Sequence, residues 1–281
     1  MNTPKPQLHV SMLNTLSRCG IAFQRRYGYR FGVWHQEEII PPAVAMAVGT
    51  ATHKSVEDNL RHVIETGEML SVEAVADVAR DSFLSVRERQ GLQFNGQEAL
   101  NVEQTVGAAV DLSVELSRLH RVERAPAIIP VDVERRFIVE LPDYPIDLAG
   151  QIDIVEADAI EDTKTTGRSK GQWAAKTLQM AMYATAYKAA SDPDPEQRRF
   201  PSMVRVTELL KHKVPKVNVD EHVPTNEWVQ PLYNRIERFL ELIEAAKTGK
   251  AAFTPATPDD WTCTRKWCGY ADTCPYFSGR D

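Results

Sequence analysis

The sequence predicts an α/β domain: a mixed central β-sheet flanked by helices, with a helical N-terminal half before it and a cysteine-bearing tail after it. Three observations predict this. Proline-free stretches with helical spacing fill most of residues 43–122. Between 127 and 165 the texture changes to short β-branched runs. A further helical stretch and two more strand-like runs follow before residue 222, so strands and helices interleave.

Taken in order, Ser11 can cap a short helix running toward Cys19. The run Arg25, Arg26, Tyr27, Tyr29, Arg30 mixes cations with aromatics, which suits either a grip on a nucleic-acid strand or a solvated loop or helix face. Helices are expected over 43–66 and over about 71–90 and 98–122. Val131, Val133, Phe137 and Val139, then Ile146, Leu148, Ile152 and Ile154, then Ile160 mark three successive strands. A helix over about 170–190 stops at the Pro/Asp-rich break Asp192–Pro195. Strands near 202–211 and 215–222 and a helix over about 225–249 complete the series. The tail beyond, rich in Pro, Thr and Cys, has too little periodicity to fold alone and needs an external tie. No internal repeat is visible.

The chain of 281 residues is 43% hydrophobic, enough for a sizeable core. Its formal charge of −6 argues against a protein that coats nucleic acid, although a site that gathers carboxylates around a cation is acidic by design. No run of eighteen apolar residues and no signal-like N-terminus are present, so no membrane contact is expected and the cytoplasm is the expected compartment. Four cysteines without an export signal, three of them crowded into Cys263, Cys268 and Cys274, point to metal or cluster ligation rather than a disulfide framework.

The segment from Leu148 to Thr166 carries the most chemistry. A two-residue turn at Ala157–Asp158 faces Glu156 with Ala159 and, counting back, sets Asp153 opposite Asp162. Their Cβ atoms are then about 4.5–5.5 Å apart on one face. Alternation adds Lys164 to that face and turns Glu161 and Thr163 to the other. Opposed carboxylates destabilise a sheet unless a cation lies between them, so the spacing predicts bound Mg²⁺ or Mn²⁺. The plainer alternative is a surface hairpin with an Asp162–Lys164 salt bridge.

The sequence G-Q-I-D-I-V followed by I-E-D-T-K resembles the catalytic hairpin of the PD-(D/E)XK nucleases, particularly their RecB-like exonuclease branch. Gly49 and His53 match that family's G-x-x-x-H element, and Gln179 and Tyr183 its Q-x-x-x-Y element. Residues four apart share a helix face, so Gln179 with Tyr183, and His53 with Glu57, can reach one groove. The resemblance implies a restriction-endonuclease-like core in a single nuclease domain over 1–281. Its parts would be an N-terminal segment with the first cluster cysteine (1–42), a core helix (43–66), a helical insertion (67–125), a catalytic sheet and helix (126–222), and a C-terminal helix and tail (223–281). It further implies His53, Asp153, Asp162 and the Thr163 carbonyl as metal ligands, Lys164 as the catalytic lysine, and Gln179 and Tyr183 as groups that orient the strand or the hairpin. Glu134, on the preceding strand, is a weaker site candidate and, as an exposed strand carboxylate, is expected to be structural.

Cys19 joined to the triplet Cys263, Cys268 and Cys274 resembles the iron-sulfur subset of the same branch, which includes AddB-type and CRISPR-associated RecB-like exonucleases. A [4Fe-4S] staple is implied. Tetrahedral Zn²⁺ on the same sulfurs is the alternative, since four residues separate Cys263 from Cys268 where the family usually has two. Trp261, Trp267, Tyr270 and Tyr276 are expected to shield the cluster or to stack on bases. Arg168, Lys170 and Lys176, with Lys211, Lys213 and Lys216, are candidates for phosphate contacts. The function expected is metal-dependent hydrolysis at DNA ends, single- or double-stranded, in recombination, repair or phage DNA metabolism, with a recombinase, helicase or annealing protein as possible partner. A structure-specific endonuclease and a noncatalytic iron-sulfur DNA-binding or assembly subunit are the alternatives.

Overall fold

In the computed structural model, which describes residues 4–257 and 259–277, six strands among those residues form one mixed sheet. They are β1 (Gln7–Leu8), β2 (Asp132–Glu140), β3 (Asp147–Val155), β4 (Ala159–Thr166), β5 (Met203–Leu210) and β6 (Lys216–His222). β2 runs antiparallel along one edge of β3. The other edge takes parallel β1 at Asp147–Leu148 and antiparallel β4 at Ile154–Val155. β4 and β5 are parallel over their whole length, and β6 closes the far side antiparallel to β5.

The helices are α1 (Val10–Arg18), α2 (Gly20–Tyr27), α3 (Val44–Thr66), α4 (Val72–Gln90), α5 (Gly96–Ala99), α6 (Val102–Leu119), α7 (Trp173–Lys176), α8 (Leu178–Ala190) and α9 (Asn226–Lys247). They cover both faces of the sheet, and β4 and β5 are accordingly buried over most of their length. On one face Ile152, Val155, Ile160, Val204 and Val206 pack with Met180, Tyr183 and Ala184 of α8. That layer continues into an aromatic core where Phe23, Phe31 and Phe239 bring α2 against α9. On the other face α3, α4 and α6 bury Ala47, Val48, Phe83 and Leu116 over Leu209.

Several boundaries differ from the sequence reading. α1 starts at Val10 behind an extended His9 that makes no side-chain cap, which leaves Ser11 inside the first turn. The short β1 and α2 were not foreseen, because two residues carry no period and α2 presents a mixed face. The stretch expected as one helix over 98–122 is α5, capped reciprocally by Asn95 and Glu98, then α6 behind Asn101, then a π turn over His120–Arg124. The helix expected over 170–190 is broken at Thr177, whose extended backbone and side-chain oxygen cap α8.

The π turn has a structural use. It delivers Arg124 to Glu161, a fully buried carboxylate that also accepts the Thr207 hydroxyl at 2.6 Å. A buried charge needs such satisfaction. The pair fixes the back of β4, one residue from Asp162, to the end of α6. No helix among the described residues is long and apolar enough to cross a membrane.

Candidate active site

The site forms where the sheet loses its regularity. Ile152 lies in the cluster under α8, yet Ile154, two residues on, lies with Val56 and Leu60 beneath α3. Period-two alternation is therefore broken at Asp153. The same row of β2 holds Glu134, which takes a left-handed φ of 54° although it is not glycine. Backbone strain of this kind persists only where surrounding structure enforces it. On the other side, β3 and β4 pair at Ile154↔Glu161 and Val155↔Ile160, with Glu156 N–H donating to Ala159 across the turn. Continued, that register sets Asp153 against Asp162. The ladder stops short of them, and the Asp153 carboxylate enters the gap to accept the Thr163 N–H at 3.0 Å.

Asp162 is 1% exposed and tightly held. Lys164 Nζ lies 2.8 Å from each of its oxygens, and Gln179 Nε2 donates to Oδ1 at 2.8 Å. Gln179 also donates to the Tyr183 hydroxyl at 2.7 Å, so the Tyr183 proton stays available as a donor. Burial, opposed by Lys164 and reinforced by Asp153, pushes the Asp162 carboxyl up to about 6. Burial alone would lower Lys164, but Asp162 and Asp153 outweigh it and hold the ammonium charged. Burial, then Asp162, also raises Tyr183, keeping its hydroxyl protonated.

His53 reaches in from α3, one turn after Gly49, which lies against Thr165. Its Nδ1 is 3.1 Å from Asp153 Oδ2. Burial would lower His53, but Asp153 outweighs it and raises it, while the same contact lowers Asp153 against its own burial. Glu134 completes a group with His53 and Asp153 whose donor atoms all lie within 4.8 Å of one another. One nitrogen and two carboxylates at that spacing fit a small divalent cation with ligand bonds of about 2.0–2.2 Å. Glu134 is thus not the exposed structural carboxylate expected from the sequence. It is half-buried, and burial, with Asp153 adding to it, pushes its carboxyl up to about 7. Glu134→Gln is expected to weaken Mn²⁺ binding about 10–100-fold, measured by calorimetric titration.

Fold, hairpin and helix-borne histidine occur together over the length of the chain: the sequence profile of the PD-(D/E)XK nuclease superfamily matches residues 7–275. The chain belongs to the PD-(D/E)XK nuclease superfamily. The mixed sheet flanked by helices is the restriction-endonuclease-like fold that the sequence led us to expect. A crystal structure from Eubacterium rectale, described as a "Putative exonuclease", is similar to this PD-(D/E)XK nuclease with a TM-score of 0.53 at 14% identity, over 91% of this chain and 86% of that one. At that identity the likeness concerns the fold alone. A second solved structure, SSO0001, aligns over 95% of this chain and 96% of its own at 12% identity, with a TM-score of 0.30 that is too low to bear on the argument. No curated protein matches at the level of sequence.

Around the PD-(D/E)XK site, the predicted phosphate contacts divide into two groups. Arg168, Lys170 and Lys176 follow β4, and Lys211 and Lys213 follow β5; all but half-buried Lys211 are exposed. Lys211 N–H donates to the Thr166 carbonyl at 2.7 Å, so both basic loops sit at the carboxyl end of the β4/β5 pair, beyond Lys164. Buried Glu208 holds the first loop in place by accepting the Ser169 hydroxyl and the Lys170 N–H. Arg25 lies elsewhere. Its side chain is 12% exposed, pairs with Glu38, donates to Thr273 at 2.7 Å and covers Tyr270, while Arg26 lies over Tyr27. Arg25 ties the N-terminal segment to the tail.

That tail brings four half-buried cysteines together. Cys19 sits extended between α1 and α2 and accepts Ala256 N–H at 3.4 Å. Gly20 lets the tail pass this close, since an added Cβ would lie 2.8 Å from the Thr254 carbonyl oxygen. Burial raises the Cys268 thiol; a backbone hydrogen bond from Tyr270 opposes this, and the nearby Cys19, Cys274 and Cys263 sulfurs raise it further. The aromatic residues are not arranged as a shield. Tyr270 is buried with its hydroxyl on the Glu38 carbonyl, but Trp261, Trp267 and Tyr276 face solvent.

Proposed function

We propose that this PD-(D/E)XK nuclease is a cytoplasmic Mg²⁺- or Mn²⁺-dependent deoxyribonuclease of the RecB-like branch, acting on DNA ends in recombination, repair or phage DNA metabolism. The observation that carries this reading is the Lys164 ammonium seated on Asp162 beside the His53–Asp153 pair, a cation and two opposed carboxylates in one gap of the sheet. His53, Asp153, Asp162 and the Thr163 carbonyl would hold the metal, with Glu134 facing it. The cation supplies charge for the scissile phosphate and lowers the pKa of water bound beside it.

The chain's own groups supply the rest. Lys164 spends two of its three donors on Asp162 and keeps one for a phosphate oxygen or the attacking water. Gln179 steadies Asp162, and Tyr183 offers its hydroxyl proton to the strand. The basic loops after β4 and β5 supply phosphate contacts that the net charge of −6 does not. A recombinase, helicase or annealing protein would deliver the ends.

The four cysteines are proposed to carry a [4Fe-4S] cluster. Cys19 and Cys268 each accept a backbone N–H, a pattern that stabilises charged, ligating sulfur. Tetrahedral Zn²⁺ on the same four sulfurs is the alternative, told apart by the absorption near roughly 400 nm that thiolate-ligated iron gives.

End-labelled linear DNA and covalently closed circular DNA, each digested with Mg²⁺ and with Mn²⁺, test the reading. Linear DNA is expected to be degraded from its ends and the circle to survive. Linearised circles would make the protein an endonuclease, and intact substrates under both metals would refute hydrolysis.

A further inference from the structure

Trp261 and Trp267 are 59% and 54% exposed, yet their rings are ordered against each other edge to face, 5.5 Å between centroids. Lys266 Nζ lies over the Trp267 ring at 5.2 Å. Two large aromatic rings packed side by side in solvent form an apolar patch of the kind that marks an interaction site, and the lysine over one of them adds a cation suited to phosphate. Their position in the fold says what would bind there. Gly269, two residues beyond Trp267, is pressed so close to Ile40 that an added Cβ would meet Ile40 Cδ1 at 2.0 Å. The aromatic turn therefore stands at the entrance to α3, the helix that carries His53.

From there to His53 the chain segment itself carries no acid and exposes apolar side chains. Residues 39–56 contain no Asp or Glu, in a chain whose net charge is −6. Ile39 is 85% exposed and Met46 is 55% exposed. Met46, Gly49, Thr50 and His53 stand at helix positions i, i+3, i+4 and i+7 and so share one face. The ten residue steps from Ala43 to His53 span about 15 Å, the length of about four stacked nucleotides of one strand.

We infer that Trp261 and Trp267 begin a stacking track that runs over Ile39 and Met46 along α3 and feeds single-stranded DNA to the site at His53. It rests on the nuclease reading above. Duplex DNA hides its base faces, whereas a single strand can lay successive bases on aromatic and apolar side chains without regard to sequence. Between Ile39 and Val56 the chain itself adds no carboxylate, which lessens repulsion of phosphate along that part of the track.

The test is binding of a twenty-nucleotide oligothymidylate to the full-length protein with metal chelated, read by tryptophan quenching and by anisotropy of a labelled strand. The wild type should show quenching. Trp261→Ala/Trp267→Ala should lose at least about tenfold in affinity, and Trp261→Phe/Trp267→Phe should keep most of the affinity but lose most of the quenching. Met46→Glu, far from the tail in sequence, should also weaken binding, which separates the track from a damaged tail. Should either the double alanine variant or Met46→Glu bind within twofold of the wild type, the track is overturned, and a protein partner becomes the occupant of the tryptophans. Because no cleavage is read, a wild type that binds and quenches but hydrolyses nothing would refute the nuclease reading alone.

Discussion

Asp162→Ala is expected to reduce metal-dependent hydrolysis of linear DNA at least about a thousandfold while DNA binding persists. The loss follows from two effects. The variant removes a carboxylate from the proposed metal site, and with it the charge-stabilising chemistry that such a cation supplies, worth several kcal/mol in the transition state. It also frees Lys164, which lies 2.8 Å from both oxygens and would relax from its position. Lys164→Ala should lose about 10²–10³-fold on its own, the usual cost of deleting one preorganised donor. Single-turnover cleavage of a labelled strand measures both. The double variant should lose little beyond Asp162→Ala, because groups that act as a unit are not additive. Wild-type rates in both single variants would show that the Asp162–Lys164 pair is a structural salt bridge and no more.

Cys268→Ser is expected to have the larger structural effect. A structural metal site binds with about 10–16 kcal/mol that becomes folding free energy, and losing one of the four proposed ligands would remove several of those kcal/mol. The contacts that remain between the ends include Arg25 with Thr273 and Tyr270, Tyr270 with the Glu38 carbonyl, Gly20 N–H with the Thr254 carbonyl, and Phe23 against Phe253. Limited proteolysis should cut the tail and the α1–α2 region together, and absorption near roughly 400 nm, which thiolate-ligated iron-sulfur gives, should disappear. Cys19→Ser should produce the same digestion pattern, and the two substitutions combined no worse, since one tie can be lost only once. A colourless wild type carrying one equivalent of zinc would keep the tie and change its chemistry.

The hairpin was legible because period-two alternation and a two-residue turn leave one register, and the structure keeps it at Ile154↔Glu161 and Val155↔Ile160. The helices α3, α4 and α9 were legible within about two residues because apolar spacing, the Ser71 and Thr225 caps and the glycine at residue 67 mark their ends. Glu134 was not. Val131, Val133, Phe137 and Val139 keep one parity in the sequence, which reads as unbroken alternation, whereas Val133 packs beneath α3 and Phe137 packs toward α8. The only hint is Arg135, a charge at an apolar parity. For the tryptophans the sequence left shielding and base stacking open, because proximity to cysteines in sequence does not say which side of a short irregular turn a ring occupies; Trp261 and Trp267 face solvent.

The central claim, a divalent cation held by a histidine and carboxylates in the gap between β3 and β4, is tested most directly by titrating the protein with Mn²⁺ and recording pulsed electron paramagnetic resonance. The account predicts one tightly bound ion with nitrogen coupling from His53, a coupling that disappears in His53→Gln. Its affinity should fall at least about tenfold in Asp153→Asn. Mn²⁺ that binds without nitrogen coupling, or that binds equally well in both variants, would contradict it.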